Sequence, residues 1–101
     1  MGKSSISRHD PAELHLASER LSATMDPVLR AALGATLRRH RVARLMTQAS
    51  MGYPLTRAYV SAVELGRTVP SLPALTLMVT RLDVTLSQFF TEVEAATSSG
   101  T

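Results

Sequence analysis

Asp10, Asp26, Thr47, Thr56, Ser71 and Thr85 each stand just before a segment whose apolar residues recur every three or four positions. Short polar side chains of this kind cap helix N-termini, and that spacing puts apolar groups on one helical face. Asp10 and Asp26 are each followed by proline, which suits a first helical turn. The first segment carries Leu14, Ala17 and Leu21 and predicts a short amphipathic helix over 11–22. The second carries Leu29, Leu33 and Leu37 and predicts a helix over 27–44. Thr47 opens a short helix that Pro54 must stop, because proline drives Tyr53 out of the helical region. Thr56 starts the next, with Val60 and Val63 inward and Gly66 as terminator. Ser71 starts a stripe of Leu72, Leu75, Met78, Val79 and Leu82; Thr85 starts one of Leu86, Phe89, Phe90 and Val93. No useful stretch alternates with period two, and no repeat is present. The expected fold is all-α.

A chain of 101 residues with 45% apolar residues suits one small domain, with no room for a sizeable ligand cavity. The absence of cysteine excludes disulfides, thiolate metal sites and a cysteine nucleophile. His9, His15 and His40 are far apart, with no carboxylate at ligand spacing, so no metal site and no cofactor are expected. The five glycines are scattered, so no phosphate-cradling loop forms, and nothing arranges a nucleophile with a base. An enzyme is therefore not expected. Met51 and Met78 read as core fillers. No apolar run approaches the ~18 residues of a membrane span, and the polar opening Met1-Gly2-Lys3-Ser4-Ser5 reads as intracellular.

The charge is concentrated. Residues 1–37 balance four basic groups against four acidic ones, and residues 68–101 carry −2. Residues 38–67 hold Arg38, Arg39, Arg41, Arg44, Arg57 and Arg67 against Glu64 alone, for +5. Such a window is the electrostatic footprint of a polyanion binder, although a solvated helix face would look the same.

Several segments in order carry a resemblance. Leu33-Gly34-Ala35-Thr36-Leu37-Arg38-Arg39-His40-Arg41, followed by Thr47-Gln48, resembles the opening of a Cro/Xre-type helix-turn-helix domain. Leu55-Thr56-Arg57-Ala58-Tyr59-Val60-Ser61-Ala62-Val63-Glu64-Leu65-Gly66-Arg67 is similar to that family's recognition helix. Pro70-Ser71-Leu72, Leu75 and Leu82-Asp83-Val84-Thr85-Leu86 are similar to its two closing helices. The resemblance covers roughly residues 27–92. It implies a lambda-repressor-like five-helix domain over 25–95, preceded by an extension (1–24) with a short extra helix and followed by a flexible tail (96–101). It also implies that Arg41 and Glu64 form a structural salt bridge. Base contacts are implied at Thr56, Arg57, Ala58, Ser61 and Ala62, and phosphate contacts at Gln48, Tyr59, Arg67, Thr68 and Arg38. Arginine makes bidentate contacts to guanine, and a small alanine lets a helix approach the groove. The spacing departs from the family's: only Ala49, Ser50, Met51, Gly52, Tyr53 and Pro54 separate Gln48 from Leu55, a turn two residues short.

The expected function is sequence-specific binding of double-stranded DNA by a homodimeric transcriptional regulator, a repressor, in the cytoplasm at the nucleoid. Dimer contacts are expected from Leu77, Phe89, Phe90 and Val93, with Leu65 beside them, although one phenylalanine should close the monomer's core. The alternative is a protein-interaction module on the same fold, an antitoxin or adaptor with a protein partner; the shortened turn supports it. The apolar stripe of Leu14 to Leu21 must pack somewhere, on its own domain or on a partner subunit.

Overall fold

The computed structural model describes residues 25–99, and within them all regular structure is helical. The helices are α1 (Pro27–Ala43), α2 (Gln48–Gly52), α3 (Arg57–Glu64), α4 (Leu72–Arg81) and α5 (Leu86–Ser99). Each start expected in this span is made by the residue proposed for it. Asp26 Oδ1 accepts from the Val28 amide at 2.9 Å, Thr47 Oγ1 from Ser50 at 2.9 Å and Thr56 Oγ1 from Tyr59 at 3.1 Å. Ser71 Oγ accepts from Ala74 at 3.2 Å and Thr85 Oγ1 from Gln88 at 3.0 Å. Such bonds satisfy amides that have no partner inside the helix. Gly66, at φ +74°, terminates α3. The helix expected over 11–22 lies outside the described residues.

One core joins the helices. Leu33 and Leu37 of α1, Met51 of α2 and Val60 and Val63 of α3 meet Leu75, Met78 and Val79 of α4 and Phe89 and Val93 of α5. Met51 and Met78 are fully buried fillers of this core. α1 packs on both α3 and α5, while α2 lies against α3 and α4. Two expectations are corrected here. Phe89 and Val93 have no exposed surface within this one chain, so neither is free to contact a partner. Leu86, Phe89 and Val93 repeat at i, i+3 and i+7 toward the core, and Phe90 falls beside that stripe at 39% exposure, with its ring edge-on to Phe89. The ordered chain also extends past residue 95. α5 continues to Ser99 because neither proline nor glycine interrupts Ala95-Ala96-Thr97-Ser98-Ser99.

The shortened turn closes without disturbing the core on either side. The Leu55 amide bonds the Gly52 carbonyl at 2.7 Å, the Tyr53–Pro54 peptide is cis, and Tyr53 leaves the helical region at φ −54°, ψ 132°. Arg81, at the end of α4, donates from Nη1 to the Tyr53 carbonyl and braces the turn from below.

α5 is pinned to α1 by one carboxylate. Glu92 Oε1 accepts from Arg39 Nη2 and from His40 Nε2, both at 2.7 Å. Arg44 Nη1 lies 2.9 Å from His40 Nδ1 and can only donate, so Nδ1 accepts and Nε2 carries the proton given to Glu92. Arg39 first, and His40 after it, hold the Glu92 carboxyl below the usual carboxylate range. A carboxyl with a depressed folded pKa stabilises the fold above its unfolded pKa of ~4.3 and loses that contribution as pH falls through the folded value. Glu92→Gln is therefore expected to lower the denaturation midpoint at pH 7. The gap from the parent should start to close as pH falls below ~4.3, as urea titrations across pH would show.

Candidate nucleic-acid interface

α3 is short and two-faced. Val60, Val63 and Glu64 are buried, while Arg57 and Ala58 are exposed and Ser61 and Ala62 half-buried. Positions 57, 58, 61 and 62 are one contiguous helical face, so the structure gathers the residues expected to read bases on the side of α3 turned from the core. Thr56 sits at the head of this face. Its oxygen is used by the cap, and its hydroxyl proton remains available to a ligand.

Arg57 also lines a shallow notch at the start of α2, together with Arg41, Met46, Thr47, Gln48 and Ala49. Behind the notch lies the expected salt bridge. Arg41 Nε donates to Glu64 Oε2 at 2.6 Å and Nη2 to Oε1 at 3.0 Å, a two-point pairing between α1 and α3. The Glu64 side chain is 2% exposed and that of Arg41 14%. Arg41 Nη1 also donates to the Met46 carbonyl at 2.9 Å, and Gln48 Nε2 to Glu64 Oε1 at 3.1 Å. The Glu64 carboxylate raises the Arg41 guanidinium above its ordinary value. Arg41 therefore stays charged at any pH the fold survives.

The other expected phosphate contacts divide. Gln48 lines the notch but spends one amide hydrogen on Glu64, which leaves the other for an incoming group. The Tyr59 hydroxyl accepts from the Ser71 amide at 3.2 Å and ties α3 to the loop before α4, with its own proton unspent. Arg67 is exposed and Thr68 half-buried in the loop after α3; Arg38 is exposed on α1.

The structure also sorts the arginines of the basic window. Arg39 and Arg44 are engaged by Glu92 and His40, and Arg41 by Glu64. Among the described residues the Arg38, Arg57 and Arg67 side chains make no hydrogen bond or ion pair. Half of the six cations hold the fold together, and half face solvent with their fields unspent. The role of Arg81 under the turn had no signal in the sequence, since its partner is a backbone carbonyl 28 residues away.

No protein-family model matches this chain, and no curated protein matches it in sequence. Among solved structures, the chain is similar to the restriction-modification controller protein C.Esp1396I, solved as a tetramer in complex with its natural 35 base-pair operator. The match has a TM-score of 0.61 at 24% sequence identity and covers 68% of this chain and 93% of that one. The fold is a helix-turn-helix. In its terms α2 and α3 are the two helices of the motif, joined by the turn at Gly52–Leu55. Among the described residues no helix is long and apolar enough to cross a membrane, and no group of three or more His, Asp or Glu could hold a metal ion.

Proposed function

We propose that the chain binds double-stranded DNA in a sequence-specific manner, with the outer face of α3 in the major groove. It acts as a homodimeric transcriptional regulator, a repressor, in the cytoplasm at the nucleoid. The observation that carries this reading is the outer face of α3: an unpaired Arg57 beside Ala58, Ser61 and Ala62, with nothing bulky to hold the helix off the groove. The similarity to a controller protein solved on its operator supports it. Arg57 would pair with guanine, with Thr56 and Ser61 beside it and Ala58 and Ala62 against thymine methyls. Gln48, Tyr59, Arg67, Thr68 and Arg38 would hold phosphates and set the register. Leu77, Phe90 and Leu65 are the expected dimer residues that keep exposed surface.

Selection from a random duplex library is expected to enrich a two-fold symmetric motif with half-sites about 34–36 Å apart, bound with steep salt dependence. Arg57→Ala should weaken the selected site by about 1–3 kcal/mol and relax preference at one position of each half-site, as anisotropy titrations would show. Unchanged affinity and preference would remove Arg57 from base reading. The second reading, a protein-interaction module, draws on the short turn, which leaves Tyr53 71% exposed. Failure to enrich any motif, with binding lost by ~200 mM salt, would favour it.

A further inference from the structure

α1 carries a second apolar face that the described residues leave exposed for most of its length, with Gly66 packed close on Ala31 alone. Val28, Ala31, Ala35, Arg38 and Val42 are spaced i, i+3, i+7, i+10 and i+14 and share one side of the helix. All are exposed, Val28 at 61% and Val42 at 47%. A helix with its core on one side ordinarily presents polar groups on the other. Here the outward side is apolar for most of its length, with its one cation, Arg38, unpaired among the described residues.

We propose that residues 11–22 form a helix that docks antiparallel along this face within the same chain. The chain enters α1 at the head of the stripe, where Arg30 Nη1 donates to the Met25 carbonyl at 3.0 Å and Asp26 caps the helix. Only residues 23–26 would separate the two helices, a connection of the length usual between antiparallel neighbours. Leu14, Ala17 and Leu21 repeat at i, i+3 and i+7, which gives the segment one apolar face of its own. At ~1.5 Å rise per residue, Leu21 comes level with Val28 and Leu14 with Ala35. Ala31 and Ala35 are small enough to let leucines settle between them.

Charge selects this occupant over a second copy of α1. Residues 10–26 hold Asp10, Glu13, Glu19 and Asp26 against Arg20, and the same register brings Asp10 to Arg38 and Arg39. A second copy would add its own Arg38 to the same stripe, like charge upon like.

The chain has no cysteine, so an engineered pair can report on the docking in the full-length protein. Under mild oxidation, Ala17→Cys with Ala31→Cys is expected to form an intramolecular disulfide about tenfold or more faster than Ala17→Cys with Gln88→Cys on α5, read by non-reducing electrophoresis. Adding Ala35→Asp, an exposed change outside the core, should return the first pair to the control rate. Equal rates for the two pairs, a cross-link joining two chains, or a rate indifferent to Ala35→Asp would each overturn the proposal.

Discussion

Gly34→Ala is expected to destabilise the domain by about 3 kcal/mol or more, although alanine is the better helix former by ~1 kcal/mol. Gly34 lies inside α1, where helix propensity alone predicts a gain. A methyl group there would come within 2.2 Å of the Val63 carbonyl oxygen and 2.6 Å of that of Glu64. These are backbone atoms at the end of α3, and no rotamer change can move them aside. Relief requires α1 and α3 to separate, and three connections oppose that. Arg41 bonds Glu64 at both oxygens, Arg30 Nε donates to the Gly66 carbonyl at 2.8 Å, and Leu33, Leu37, Val60 and Val63 share one core.

A domain of this size has a total stability of roughly 4–11 kcal/mol, so the loss takes a large share of it. At about 4–8 °C per kcal/mol, the melting temperature should drop by roughly 15 °C or more. Ala35→Gly one position along is the control. Residue 35 is exposed, so that change should cost only the ~1 kcal/mol of helix propensity. A Gly34→Ala protein at least as stable as the Ala35→Gly one, by circular dichroism melts, would refute the close approach of α1 and α3.

Much of this architecture is legible in the chain because its signals are local. A short polar residue before an apolar repeat is a capping instruction spanning three or four positions, and Asp26, Thr47, Thr56, Ser71 and Thr85 all execute it. The Arg41–Glu64 pair was legible only through the resemblance to the Cro/Xre-type domain, to which Glu64's place as the one acid within residues 38–67 lends electrostatic support. What the sequence hides is the allocation of polar groups between structure and surface. Arg38 and Arg39 are neighbours with the same chemistry, yet only Arg39 reaches Glu92, 53 residues on. Gln48 looks like a free donor until α3 brings Glu64 to its amide. Phe89 and Phe90 differ by one position, and only the 3.6-residue period, with Leu86 and Val93 as its other marks, decides which one the core takes.

Glu64→Ala is the other change with a large expected effect, because it leaves Arg41 charged with its principal partner gone. Removing one member of a buried ion pair costs about 3–5 kcal/mol, most of it the penalty of an uncompensated desolvated charge. Arg41 is not wholly sealed, at 14% side-chain exposure, and it keeps the Met46 carbonyl, so the lower part of that range is expected. Gln48 also loses its acceptor, and α3 loses its tie to α1 at the end nearest the notch. The loss should persist in 1 M salt, because screening acts weakly on a pair buried at 2% and 14% exposure. Arg41→Met together with Glu64→Leu removes both charges and fills the same space with apolar atoms, which is often neutral for a buried pair. That double variant should recover most of the stability lost by Glu64→Ala. It should not recover the placement of α3 against the start of α2, so under the proposed function duplex binding should stay below that of the parent. A denaturation series on the parent, Glu64→Ala and the double variant at low and high salt, with duplex binding measured alongside, separates these effects. A Glu64→Ala loss below about 1 kcal/mol would mean that the pair is worth no more than a surface salt bridge, and that the core alone fixes α1 against α3.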